Sequence, residues 1–141
     1  MAPQTLLDTG VVVVVQPDGY QLYGLTRWQR SVNASTKVVL MTAPTLESFQ
    51  VVPALIGPTE TLNQWYARQV PASTPEPLTA FRTKQGFVGA WTPDRLTAYV
   101  RLNDETVLIF TYNLGSAQRI QYRQSFEMLI NSLMTIEKQQ Q

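Results

Sequence analysis

The chain has 141 residues, a length that bounds a single domain able to bury a sizeable core. It contains no cysteine and no histidine, so disulfides, thiolate zinc sites, cysteine nucleophiles and a Ser-His-Asp triad are excluded by composition. Eleven basic and ten acidic residues leave a net charge of +1, and charged residues make up only 15% of the chain with no basic run, so nucleic acid is not an expected partner.

Residues 1–9 are expected to be a frayed lead-in. Val11–Val15 is β-branched throughout, and stiffness at χ1 favours a strand, which its unbroken apolarity predicts to be buried on both faces. No apolar run reaches the roughly 18 residues that cross a bilayer as a helix. Pro17-Asp18-Gly19 has the chemistry of a turn, and Tyr20–Leu25 returns as the second arm of a hairpin. Arg27 to Thr36, polar around Trp28, reads as a loop or ragged strand end. Lys37–Thr42 is a third strand, broken by Ala43-Pro44-Thr45. Phe49–Ile56 is a fourth, in which Pro53 calls for an edge or a strand end because it has no N–H for a ladder.

Gly57-Pro58-Thr59 marks a boundary. Thr59 is the expected N-cap of a short helix, with Glu60 set against the positive helix end. Leu62, Trp65, Tyr66, Gln69 and Val70 follow the helical period, and Pro71 stops it. Pro71–Pro77 reads as a rigid exposed connector, a PxxP-type ligand being the alternative. Leu78–Thr83 and Phe87–Trp91 are strands around Lys84-Gln85-Gly86, and Thr92-Pro93-Asp94-Arg95 turns the chain again. Leu96–Leu102 alternates apolar with polar, so one face is packed and the other wetter. After Asn103-Asp104-Glu105, Thr106–Tyr112 returns, and its unalternating Val107–Phe110 predicts a central strand. Tyr122, Phe126, Leu129, Ile130 and Leu133 fall on one helix face, which predicts a long amphipathic helix running almost to the end, with 138–141 frayed. The expected architecture is one α+β domain over 1–141. It is an antiparallel β-sheet of about six to seven strands, with a short middle helix and a long C-terminal helix packed on it.

Three local patterns recur in this order: Phe49-Gln50-Val51-Val52 ahead of Thr59-Glu60-Thr61-Leu62, then Gly86-Phe87-Val88-Gly89-Ala90-Trp91, then Ser125-Phe126-Glu127-Met128-Leu129-Ile130-Asn131-Ser132-Leu133. Over about Tyr20 to Ile136 the chain resembles the Mog1/PsbP-like superfamily, including small bacterial envelope proteins of the DcrB type. The resemblance implies an antiparallel sheet with helices on its faces. It also implies a mostly non-catalytic role, as an assembly or stabilising factor or as an accessory or lipoprotein domain, and it supplies no catalytic motif. The apolar first hairpin, Val11–Leu25, and the lack of an evident N-terminal helix depart from the family pattern.

The residues point the same way. Asp18, Asp94 and Asp104 sit in turns, where Asp is expected for backbone reasons. Glu60, Glu127 and Glu137 sit on helix faces or ends, and no two acids are spaced for a shared site. No glycine pattern forms a phosphate loop and no segment matches an EF-type calcium loop. Asn33-Ala34-Ser35 is a formal glycosylation sequon. No catalytic, cofactor or metal residue is therefore expected. Trp65, Tyr66 and Phe126 are expected in the core. Trp28 and Trp91 stand beside turns and arginines, Arg27 and Arg30 flanking the first and Arg95 following the second. Trp and Arg are enriched in binding hot spots, so these five are the candidate binding residues if both tryptophans share a sheet end. The alternative is that each tryptophan plugs the end of the core.

The expected function is a non-catalytic binding or accessory module that engages a protein partner in a bacterial envelope. A lipid anchor is expected only if a leader was removed ahead of Met1. Two alternatives stand beside it: a small-molecule domain with a pocket between helix and sheet lined by Trp65, Tyr66 and Tyr112, and a carboxylate-dependent hydrolase.

Overall fold

A computed structural model describes residues 12–15, 20–25, 28–43, 46–69, 77–114 and 123–135. Val12–Val15 (β1) and Tyr20–Leu25 (β2) form the expected hairpin, with Val12 opposite Leu25 and Val15 opposite Leu22. The turn at Pro17-Asp18-Gly19 and the burial of the valine side chains lie outside what is described. This hairpin does not join the main sheet. It forms a separate three-stranded sheet with Met134–Thr135, which pairs on the other side of β2.

The main sheet has seven antiparallel strands. In chain order they are β3 (Gln29–Val32), β4 (Val39–Thr42), β5 (Ser48–Leu55), β6 (Thr79–Arg82), β7 (Val88–Trp91), β8 (Thr97–Arg101) and β9 (Thr106–Asn113), and β10 is Met134–Thr135 of the small sheet. The spatial order is β3-β4-β5-β9-β8-β7-β6. Of the two readings for the stretch around Trp28, a loop or a ragged strand end, the strand holds over Gln29–Val32. An edge strand needs no apolar face, and all four residues of β3 are exposed. β9 is central, as its apolar run predicts.

Pro53 sits inside β5 without disrupting the sheet, and the register explains why. Ala43 N donates to Glu47 O at one end of β5, and Ile56 N donates to Glu105 O at the other. Odd-numbered residues of β5 therefore face β4 and even-numbered ones face β9. β4 ends where Val39 meets Val51, so Pro53 faces a strip that β4 has already left. The missing donor costs no ladder bond, and the expected edge exists locally.

The two helices among the described residues cover opposite faces. Val39, Met41, Phe49, Val51, Trp91, Ala98, Val100, Leu108, Phe110 and Tyr112 share one face and pack with Tyr20 and Leu22 of β2 and with Phe126, Leu129 and Ile130 of the second helix, Arg123–Asn131 (α2). Ala90 and Val107, with Tyr99 and Ile109, share the other face and pack with Leu62, Trp65 and Tyr66 of the first helix, Leu62–Gln69 (α1). Gly89 lies opposite Phe81, whose ring covers it so closely that a Cβ would meet the ring at 2.5 Å. That ring stacks in turn on Trp91, 5.3 Å between centroids.

The cap of α1 is Thr61 and not Thr59. Thr61 N donates to Gln64 Oε1 (2.9 Å) and Gln64 N donates to Thr61 Oγ1 (3.1 Å), a reciprocal capping box that Thr59, two residues earlier, cannot close. The carboxylate of Glu60 instead accepts from Gly57 N (3.1 Å) and pairs with Arg68 through both its oxygens, at 2.9 and 3.0 Å. Arg101 clamps this loop, its guanidinium donating to the carbonyls of Glu60, Gly57, Pro58 and Asp104.

The expected long C-terminal helix is short. α2 has nine residues and ends at Asn131. Ser132 Oγ donates to Leu129 O (2.6 Å) and accepts from Tyr23 N (2.9 Å), and the chain then pairs with the free edge of β2. Leu133 is still buried, so the apolar spacing marks residues that face the core even where the helix has ended. Tyr122, the expected start of that face, lies outside the described residues. So do the connector at 71–76 and the ends at 1–9 and 138–141.

Candidate functional site

Four hairpin turns of the main sheet close on a backbone bond from a left-handed donor, the first over four residues and the other three over three. Lys37 N donates to Asn33 O, Leu46 N to Ala43 O, Gly86 N to Thr83 O and Arg95 N to Thr92 O, all at 2.8–2.9 Å. Each of these donors is left-handed, with φ of 63, 74, 97 and 60° respectively. A turn closed by one left-handed residue re-aims the chain into the next strand, and glycine is the ordinary occupant. A side chain there costs roughly 1–2 kcal/mol. Only the β6–β7 turn, among these four, uses glycine.

Leu46 and Arg95 lie at the same end of the sheet, the end where β9 stops. Ser48 pairs with Asn113, and Tyr112 N donates to Leu96 O at 2.7 Å, which places the β4–β5 and β7–β8 turns on either side of the β9 terminus. Leu46 is 68% exposed, while the next residue, Glu47, is fully buried. Tyr112 Oη donates to Glu47 Oε2 at 2.6 Å. The buried carboxylate thus anchors the turn to the central strand and holds Leu46 outward.

Both candidate tryptophans belong to this end, but as core residues. Trp28 is 5% exposed and Trp91 7% exposed. They belong to a chain of rings in which Trp28 meets Phe49 at 4.5 Å, Phe49 meets Phe126 at 5.1 Å, Phe126 meets Trp91 at 5.9 Å and Trp91 meets Phe81 at 5.3 Å. The tryptophans stiffen the sheet end and do not themselves form an exposed aromatic surface. Arg95 is exposed, with its Cζ 5.8 Å from the Trp91 ring centroid, a cation–π distance. Arg30 is exposed on β3, and its Nη1 donates to Trp28 O at 3.0 Å. Arg27 lies outside the described residues. Leu46 was not singled out from the sequence, although a leucine placed two residues after Pro44 in a turn was a usable signal.

The Asp94 carboxylate orders the β7–β8 turn. Thr92 Oγ1 donates to it at 2.7 Å and Leu96 N at 2.9 Å, and these bonds hold its pKa below the usual carboxylate value. Asn33 Oδ1, in the sequon, accepts from Ser35 N and Thr36 N and so closes its own turn. Trp65 and Tyr66 pack on one face of the sheet and Tyr112 on the other, so these three cannot line one pocket. No group of three or more acidic residues is placed to hold a metal ion among the described residues.

No protein-family model matches the chain. No curated protein matches it in sequence. Among solved structures, cyanobacterial PsbP (CyanoP) from Synechocystis sp. PCC 6803, a solution structure, is similar to it. The TM-score is 0.51 at 14% identity, over 89% of this chain and 91% of that one. The likeness shows a PsbP-like fold, and no helix among the described residues is long and apolar enough to cross a membrane.

Proposed function

We propose that this chain is a non-catalytic binding module that docks a protein partner through the sheet end bearing Leu46 and Arg95, as an accessory protein of the DcrB type in a bacterial envelope. One observation carries the reading: Leu46 is a large apolar side chain, 68% exposed, on left-handed backbone with φ 74°. Exposure and backbone both disfavour leucine at that position, and of the three described non-glycine residues on left-handed backbone, Lys37, Leu46 and Arg95, Leu46 alone is apolar, which points to a role outside folding. The packed ring chain at the same sheet end supplies a preorganised base, which lowers the entropy lost on docking. Arg95 at the neighbouring turn adds a hot-spot residue type beside it. The low charge content of the chain is compatible with an exported protein.

Two variants test this. Leu46→Gly removes the side chain and relaxes the backbone, so stability rises by roughly 0.5–1 kcal/mol. Leu46→Asp places a charge where the leucine projects. With an extract of the source organism, the wild-type chain is expected to retain a partner that both variants lose while their melting curves show an intact fold. Equal retention by all three proteins overturns the proposal.

A further inference from the structure

At the other end of β9 the sheet leaves a gap. β4 starts only at Val39, β5 runs on to Leu55, and among the described residues no strand pairs with Pro53 on the β4 side. A cleft of about 290 Å3 lies there. Its apolar wall is Pro53, Leu102 and Leu108, with Tyr20 of β2 alongside, and Lys37, Asn103 and Thr106 are its polar residues. A second hollow of about 230 Å3 shares Pro53 and Thr106 with it and continues past Ala54 to Leu55.

Two observations on Lys37 mark this cleft. Lys37 is the one charged residue lining it, is half-buried, and is in no salt bridge among the described residues. Lys37 also stands on left-handed backbone, φ 63°, in a turn where glycine would serve. Strain of this kind is retained at ligand clamps because the side chain is needed there. Asn103 Oδ1 accepts from Glu105 N at 2.9 Å, which leaves its NH2 group as the end that can donate.

We propose that this cleft binds a small monoanion with an apolar body, a carboxylate of about six to ten carbons, matched to a volume near the lower bound for ligand pockets. The Lys37 ammonium takes the carboxylate, Asn103 and Thr106 hydrogen-bond to it, and the carbon chain lies on Pro53, Leu102 and Leu108. A longer chain continues over Ala54 and Leu55. This proposal does not rest on the docking surface, which lies at the opposite end of β9.

The test is a titration of the isotope-labelled protein with octanoate, followed by amide NMR shifts, with octanol and octylamine as neutral and cationic controls. Saturable shifts are expected at Leu102, Asn103 and Thr106, with octanol at least tenfold weaker and octylamine not binding. Lys37→Gly suits the left-handed backbone and so keeps the fold. It should weaken octanoate by roughly tenfold or more, and Lys37→Arg should restore most of the affinity. Leu46→Asp should leave octanoate binding unchanged. No saturable shift up to ~20 mM octanoate, equal affinity for octanol, indifference to Lys37→Gly, or shifts centred on another part of the sheet overturns the proposal.

Discussion

Leu46 and Glu47 are neighbours with opposite surroundings, one projecting into solvent and the other enclosed against Tyr112. Removing the hydroxyl of Tyr112 takes a hydrogen bond from the buried carboxyl group of Glu47. Tyr112→Phe should therefore cost about 1–3 kcal/mol in urea unfolding, with the fold intact. Asp94 and Glu60 act at the surface. The Thr92 hydroxyl and the Leu96 N–H lower the Asp94 pKa, and Arg68 followed by the Gly57 N–H lowers that of Glu60. Both folded values lie below the unfolded ones, so these groups contribute their stability in full above the ordinary carboxylate range. That contribution is lost as pH falls through the lowered folded values. The melting temperature should hold between about pH 7 and 5 and drop below about pH 4. Asp94→Asn should flatten the drop, a result that thermal melts across the acid range would show.

At the scale of elements, short-range chemistry set the start of α1 and long-range pairing the end of α2. The Thr61–Gln64 box starts α1, and Thr61→Ala should cost about 1 kcal/mol by denaturant unfolding. The T-x-x-Q pattern was present in the sequence, but Gly57-Pro58-Thr59 offered a competing boundary only two residues away. Period-two alternation in β8 and the unalternating run of β9 were legible, because a buried face imposes its register. β3 was not legible, since a fully exposed edge strand carries no apolar signal. The length of α2 was not legible either. Leu133 continues the helical spacing, and only the available edge of β2 ends the helix and recruits β10. On the sheet face that α1 packs against, Ser31, Leu40, Gln50 and Thr111 pair in one row.

At the scale of the molecule, Phe126 joins the parts. Its ring touches Phe49, Tyr112 and Trp91, rings from three strands, at 5.1–5.9 Å between centroids. Phe126→Ala should cost roughly 3–5 kcal/mol. A loss under about 1 kcal/mol in equilibrium unfolding would mean that α2 does not hold the core together.

Composition alone removed whole classes of chemistry, because a chain without cysteine or histidine cannot build their sites. Periodicity and turn chemistry placed most strands, the first hairpin, the β8–β9 hairpin and the core positions of Trp65, Tyr66 and Phe126, because burial on one face repeats along the chain. Only the tertiary structure decided that the first hairpin leaves the main sheet, that both tryptophans turn inward, and that Lys37 and Leu46 occupy glycine-like turn positions at opposite sheet ends. Those outcomes depend on which strand edge is free and which neighbour arrives from far along the chain, and neither is written in local spacing.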